Sequence, residues 1–185
     1  MQDNRVDTHN ILSSLSKFKG PAPVHLWNPP YCGEIDIRIA SDGRWYHEGT
    51  LIRRPALMQL FASVLRREKD GSYSLVTPTE RVGIQVDDCP FVATIMNVSG
   101  QGDQQRLEFT LNTAEVLLAD ASHPLRFEEK QGQPHPVLLV RDGLEALISR
   151  NVYYQLVNLA QRHTIDGAEH LCVYSAGTLF ALGKL

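Results

Sequence analysis

The chain is poor in the features that announce a function. It has three cysteines, Cys32, Cys89 and Cys172, far apart and odd in number. No Cys-x-x-Cys pair exists, so neither a zinc site nor a redox dithiol is predicted, and three reduced thiols are expected. No apolar run approaches the roughly 20 residues that span a bilayer. Residues Met1 to Lys19 are polar and lack the apolar stretch of a secretory signal. A cytoplasmic protein without membrane insertion is therefore expected, and the Asn97-Val98-Ser99 sequon has no role there. Excess positive charge is missing too: 18 Lys and Arg stand against 21 Asp and Glu, a formal net charge of -3. That argues against a nucleic-acid partner, and no polybasic run suggests an anionic membrane surface.

Catalytic signatures are equally scarce. Gly100 and Gly102 stand outside any GxxxxGK[ST] or GxGxxG context, so a hairpin turn is predicted there and not a phosphate cradle. Ser14-Leu15-Ser16-Lys17 matches the Ser-x-x-Lys of acyl-serine enzymes without that class's companion motifs. His163 and His170 flank a turn and are not spaced as helical ligands, which predicts a surface pair and not a metal site. No strand-turn-helix nucleophile elbow supports a catalytic triad. No metal, cofactor or catalytic residue is assigned.

What is present is a globular composition with an internal echo. A hydrophobic fraction of 43% and a charged fraction of 21% in 185 residues can bury a core without disulfides or metals. Leu51-Ile52-Arg53-Arg54 recurs as Leu147-Ile148-Ser149-Arg150. At the same offset Gln59-Leu60 recurs as Gln155-Leu156, Asp70-Gly71 as Asp166-Gly167, and Leu75 as Leu171. An offset carried through a helix-like run, a turn and a strand predicts a duplicated unit. Two such units would face one another across a cleft that favours a ligand.

The local pattern supplies the elements. Ile11, Leu12, Leu15 and Phe18 share one helical face. Prolines at 21, 23, 29 and 30 keep the next segment irregular, with Trp27 read as a packing anchor. Ile35, Ile37 and Ile39 alternate with Asp36 and Arg38 as in a half-buried strand, and Asp42-Gly43 reads as a hairpin turn. Arg44 to Ile52 is expected to return as a second strand. Pro55 opens a helix whose stripe is Leu57, Leu60, Phe61, Val64 and Leu65, with Arg66 and Arg67 at its negative end and Asp70-Gly71 as its stop. Tyr73 to Val76 and Val82 to Val86 are expected to pair. Asp87-Asp88-Cys89-Pro90 marks a boundary, which predicts units of 1–88 and 89–185. The second is richer in strands and carries a helix with Val152, Tyr153, Leu156, Val157 and Ala160 on its apolar side, capped by Asn151.

Two polar groups are candidate sites. Glu34, Asp36 and Arg38 lie on one strand face. Arg53 and Arg54 precede the first helix, as Arg150 precedes the second, where a guanidinium fork beside free N–H groups suits phosphate or carboxylate. A cation there needs compensation, either from an internal carboxylate such as Asp36, Glu48 or Glu80 or from an anionic ligand.

The run Pro29 to Ile39, with Asp42-Gly43-Arg44-Trp45 and Leu75-Val76-Thr77-Pro78-Thr79-Glu80, resembles a proteobacterial family of unknown function of the DUF1285 type. Asp88-Cys89-Pro90-Phe91 resembles that family's acid-small-Pro-Phe junction. The resemblance covers nearly the whole chain and is less distinctive from about Gln131. It implies a two-part fold with a duplicated core motif, the second part similar to a pleckstrin-homology-like β-roll capped by a helix. It also implies a nucleotide-like ligand between the parts and a role in signalling. No catalytic residue carries over.

The expectation is thus an α+β chain of two related strand-strand-helix-strand-strand units. Its expected role is a non-enzymatic regulatory protein that binds a small anionic, nucleotide-like ligand where the units meet. Arg38, Arg53 and Arg54 are the expected anion donors, Trp45 and Tyr46 the apolar wall, and Glu34, Asp36 and Glu80 the orienting acids. The alternatives are a module for a protein partner and, below it, an enzyme using the Glu34 and Asp36 carboxylates.

Overall fold

The computed structural model describes residues 20–185. The helix expected from Ile11 to Phe18 and the Ser14–Lys17 match lie outside the described residues. The chain divides into two compact units, one ending at Asp88 and the other spanning Cys89–Leu185.

The first unit contains β1 (Tyr31–Ile39), β2 (Trp45–His47), β3 (Thr50–Leu51), α1 (Pro55–Ser63), β4 (Leu65–Arg67), β5 (Tyr73–Val76) and β6 (Arg81–Val86). They form one sheet in the order β3-β2-β1-β6-β5-β4. β1 and β6 are parallel and the other neighbours antiparallel. The alternation in β1 works as a strand should: Ile37 and Ile39 are buried while Glu34, Asp36 and Arg38 stay exposed. Pro55 starts α1, where its missing N–H costs no bond. The helix buries Phe61 and Ala62, and the Phe61 ring stacks on Trp45 with centroids 6.2 Å apart and planes 14° from parallel. Trp45 is only 1% exposed.

Two local expectations change here. The helix stops at Ser63, well before Asp70-Gly71. Val64 and Leu65 satisfy a helical stripe, but Leu65 to Arg67 pair with Leu75 to Tyr73, and the chain turns at 68–72 as a hairpin. Non-local pairing overrides helical spacing, and Arg66 and Arg67 become strand residues. The return strand from Arg44 to Ile52 is broken into β2 and β3 by Glu48-Gly49, both at positive φ.

The second unit contains β7 (Phe91–Ser99), β8 (Arg106–Leu111), β9 (Val116–Leu118), β10 (Leu125–Lys130), β11 (Gln133–Arg141), β12 (Leu144–Ile148), α2 (Arg150–Leu159), β13 (Gln161–Ile165), β14 (Ala168–Ser175) and β15 (Thr178–Lys184). One sheet runs β10-β11-β12-β7-β8-β9 and a second runs β13-β14-β15. Phe91, Leu107, Phe109, Leu138, Ala146 and Leu156 are fully buried in its core. The small sheet is tied to the large one at buried Ser175, whose Oγ accepts the Leu107 N–H at 2.9 Å, and at Gln105, whose amide donates to the Tyr174 carbonyl at 2.7 Å. Ser149, not Asn151, occupies the N-cap of α2.

The echo is real in element order: β2-β3-α1-β4-β5 is matched by β11-β12-α2-β13-β14. The sheets treat it differently. After α1 the hairpin joins the sheet it left, pairing β5 with β6; after α2 it forms a sheet of its own, because the corresponding edge of β7 is already taken by β8. Both six-stranded sheets nevertheless share one plan, two three-stranded antiparallel runs joined by a central parallel pair. The fold is α+β, mostly strands with two helices among the described residues.

The hairpins are closed economically. Asp142-Gly143, Asp166-Gly167 and Ala176-Gly177 are two-residue loops with positive φ at both positions, the type I′ turn that matches strand twist. At Gly100 a Cβ would fall 2.2 Å from the Gln104 carbonyl oxygen, so that glycine serves backbone approach in the β7–β8 connection.

Candidate anion-binding groove

The β4–β5 hairpin carries a charged run, Arg66-Arg67-Glu68-Lys69-Asp70. Strand alternation sends Arg66 and Arg67 to opposite faces. Arg66 donates from Nε and Nη2 to the two Glu68 oxygens at 3.0 and 3.2 Å. Its Nη1 donates to the carbonyls of Val24 and Trp27 at 3.1 and 2.8 Å, which ties the irregular proline-rich segment to the sheet. Glu68 also pairs with Arg81 at 3.1 Å, and the Arg81 guanidinium lies 5.1 Å from the Tyr31 ring centre. The side chains of Arg66 and Glu68 are each 15% exposed. Asp70 accepts the Ser72 hydroxyl at 2.6 Å and the Ser72 N–H at 2.9 Å. Those bonds, the hydroxyl first, hold its carboxyl below the usual carboxylate range.

Two adjoining cavities open on this framework. The first, about 540 Å³, is bordered by His25, Trp27, Arg66, Arg67, Lys69 and Arg81, with Glu68 and Asp70. Four Lys or Arg against two carboxylates leave a local charge of +2 in a chain whose net charge is -3. The second, about 390 Å³, shares Asp70 and Arg81 with the first and adds Tyr31, Glu34, Tyr73, Ser74 and Gly83. A third cavity, about 420 Å³, belongs to the second unit, between the β10–β11 hairpin, Tyr153 of α2 and Leu182 of β15. It is acidic and aromatic, with Glu128, Glu129 and Phe127 on its wall.

Of the residues expected from sequence, Glu34 alone lines either groove cavity of the first unit. Arg38 is exposed but forked onto Asp87, with Nε to Oδ1 at 3.0 Å and Nη2 on Oδ2. Asp36 is exposed on the same face, and Tyr46 is the cross-strand partner of Arg38. Trp45 is a core residue, sealed against Phe61 and offering no wall to a ligand. Arg53 and Arg54 are exposed at the start of α1 and form no ion pair among the described residues. Glu80 closes the turn before β6, its N–H donating to the Thr77 hydroxyl at 3.1 Å. Trp27, Arg67, Lys69 and Arg81 were not singled out as a site from sequence. The only signal for Arg67 and Lys69 is the density of charge in 66–70, which helical spacing places at a helix end; Trp27 and Arg81 carry no such signal.

The remaining chemistry-bearing pairs are sparse. His163 and His170 face each other across β13 and β14. In the second unit Cys89 Sγ and a His135 ring nitrogen come within 4.8 Å, a pair short of the four ligands of a structural zinc site.

The class that fold and groove define is a two-unit α+β protein with a basic concavity on one six-stranded sheet. The comparisons narrow the class to a family. Residues 22–89 match the N-terminal domain and residues 90–182 the C-terminal domain of the family described as protein of unknown function DUF1285. The chain belongs to the DUF1285 family. A DUF1285 family protein from Silicibacter pomeroyi DSS-3 is 46% identical to it, with 95% of each chain covered and a TM-score of 0.85. A second family member, from Shewanella baltica OS155, is 26% identical over 66% of this chain and 90% of its own, with a TM-score of 0.53. No curated protein matches the chain. Among the described residues no helix is long and apolar enough to cross a membrane.

Proposed function

We propose that this protein binds a small anionic, nucleotide-like ligand, and that the groove around Arg67, Lys69 and Arg81 receives its charged group. The proposed site lies wholly within the first unit. The observation that carries the reading is the charge balance: +2 within one concave site, with Glu68 already engaged by Arg66 and Arg81 and Asp70 already held by Ser72. A concave surface with an excess of one charge concentrates counter-ions of the other. Trp27 on the rim offers a flat apolar surface beside the cations, suited to a base or other ring. A cytoplasmic, non-enzymatic regulatory role in signalling goes with this proposal, as does a pleckstrin-homology-like reading of the second unit. Support for the latter is that α2 directly follows the last strand of a six-stranded antiparallel-rich sheet.

Isothermal titration of the protein with inorganic phosphate and a panel of nucleoside monophosphates tests the reading. Saturable binding that falls with salt and is lost in Arg81→Met supports it. Heat-silent titrations at millimolar concentration of every compound would reject it.

The second reading is a protein partner in the second unit. It is favoured by the third cavity, where acidic Glu128 and Glu129 stand beside Phe127 and Tyr153, themselves 6.5 Å apart. A basic peptide with an aromatic or aliphatic anchor would suit that surface.

A further inference from the structure

We infer that the second cavity of the first unit takes the vicinal hydroxyls of a sugar, so that the ligand is a sugar phosphate, nucleoside phosphates included; the inference rests on the proposed anion site. The floor of this cavity is one row across three strands. Ser74 of β5 is the register partner of Gly83 in β6, and Gly83 is the partner of Glu34 in β1. Glycine weakens a strand interior and often marks a close approach. Here a Cβ on Gly83 would stand 2.9 Å from the Tyr31 hydroxyl and 3.2 Å from Glu34 Cγ. The missing methyl therefore lets a tyrosine and a carboxylate lie across the sheet.

Ser74 adds a hydroxyl to this floor. It is 2% exposed as a residue and lines the cavity. A hydroxyl both donates and accepts, so an incoming sugar hydroxyl would pair with it. Around it stand Glu34 and Asp70. Ser72 occupies one Asp70 oxygen and leaves the other for a donor. Carboxylates accept paired hydroxyls well, the chemistry by which an acidic side chain holds a ribose in dinucleotide sites. Two acids repel a second anion here, and Arg81 between the cavities repels a free cation. A neutral polyol satisfies both, with the Tyr31 ring beside the Gly83 floor. Arg81 borders both cavities, so a phosphate beside it leaves the attached sugar within reach of the Ser74–Gly83 floor.

The test is titration of the full chain with inorganic phosphate, ribose 5-phosphate and 2-deoxyribose 5-phosphate. Ribose 5-phosphate should bind at least about tenfold tighter than inorganic phosphate, with part of that gain lost in the deoxy sugar. Gly83→Ala, which fills the floor, and Ser74→Ala, which removes the hydroxyl, should each bring ribose 5-phosphate to the affinity of inorganic phosphate. Neither should change the binding of inorganic phosphate itself. If both phosphates bind equally, or the preference survives both variants, the sugar inference is overturned while the anion site stands. If none of the three binds, the anion site falls and the sugar inference with it.

Discussion

Replacing Glu68 by glutamine removes one negative charge from between two guanidinium groups and should move stability and anion affinity in opposite directions. Glu68 accepts from Arg66 at 3.0 Å and pairs with Arg81 at 3.1 Å; the side chains of Arg66 and Glu68 are 15% exposed and that of Arg81 29%. Stripping one partner from a fully buried pair costs about 3–5 kcal/mol, and an exposed pair is worth only about 0–1 kcal/mol. These groups are mostly buried, and glutamine keeps one acceptor oxygen, so the loss should be about 1–3 kcal/mol. The groove charge rises by one unit at the same time. At about 6–8 Å in an effective dielectric of about 40–80, that extra charge attracts a bound phosphate by about 0.5–1.4 kcal/mol, roughly two- to tenfold in affinity. Urea unfolding near neutral pH reads the first quantity, and phosphate titration at low salt reads the second. A variant as stable as the parent, with unchanged or weaker phosphate binding, refutes both the ion-pair and the charge-balance reasoning.

Three further outcomes are expected. Phe61→Ala empties the space beneath Trp45 and should cost about 3–5 kcal/mol in urea unfolding, with a red-shifted tryptophan emission; a loss below about 1 kcal/mol would mean the stacked pair is not a core contact. Arg53→Ala with Arg54→Ala should leave phosphate affinity within about twofold, because exposed charges beyond the groove are screened by salt; a larger drop would return the anion site to the start of α1. Asp87 is held below the usual carboxylate range by its hydrogen bonds from Arg38 and then by that cation's charge. Its contribution is therefore present above the unfolded value of about 3.9 and is lost as pH falls through the depressed folded value. Asp87→Asn should give a shallower fall of stability with acid below about pH 4 than the parent. Parallel acid limbs in the two proteins would contradict the pairing.

Much of the secondary structure is legible from short-range pattern. The alternation from Ile35 to Ile39, the Pro55 start of α1 and the pairing of Tyr73–Val76 with Val82–Val86 all follow from periodicity and backbone preference. The end of α1 does not, since Val64 and Leu65 fit a helical stripe and a strand equally, and only pairing with Leu75 decides between them. The candidate site was harder. Alternation correctly put Glu34, Asp36 and Arg38 on one exposed face, yet it carries no information that Arg38 meets Asp87. Nor does composition tell a buried Trp45 from a groove-lining Trp27.

Residue order alone determined what depends on a few neighbouring residues: strand period, turn chemistry and helix start, because backbone sterics act over that range. Tertiary structure alone decided which strands share a sheet, and with it that Arg66, Glu68 and Arg81 meet beside Tyr31. Hydrogen-bonded pairing between distant strands brings those charges together, and no local preference specifies it.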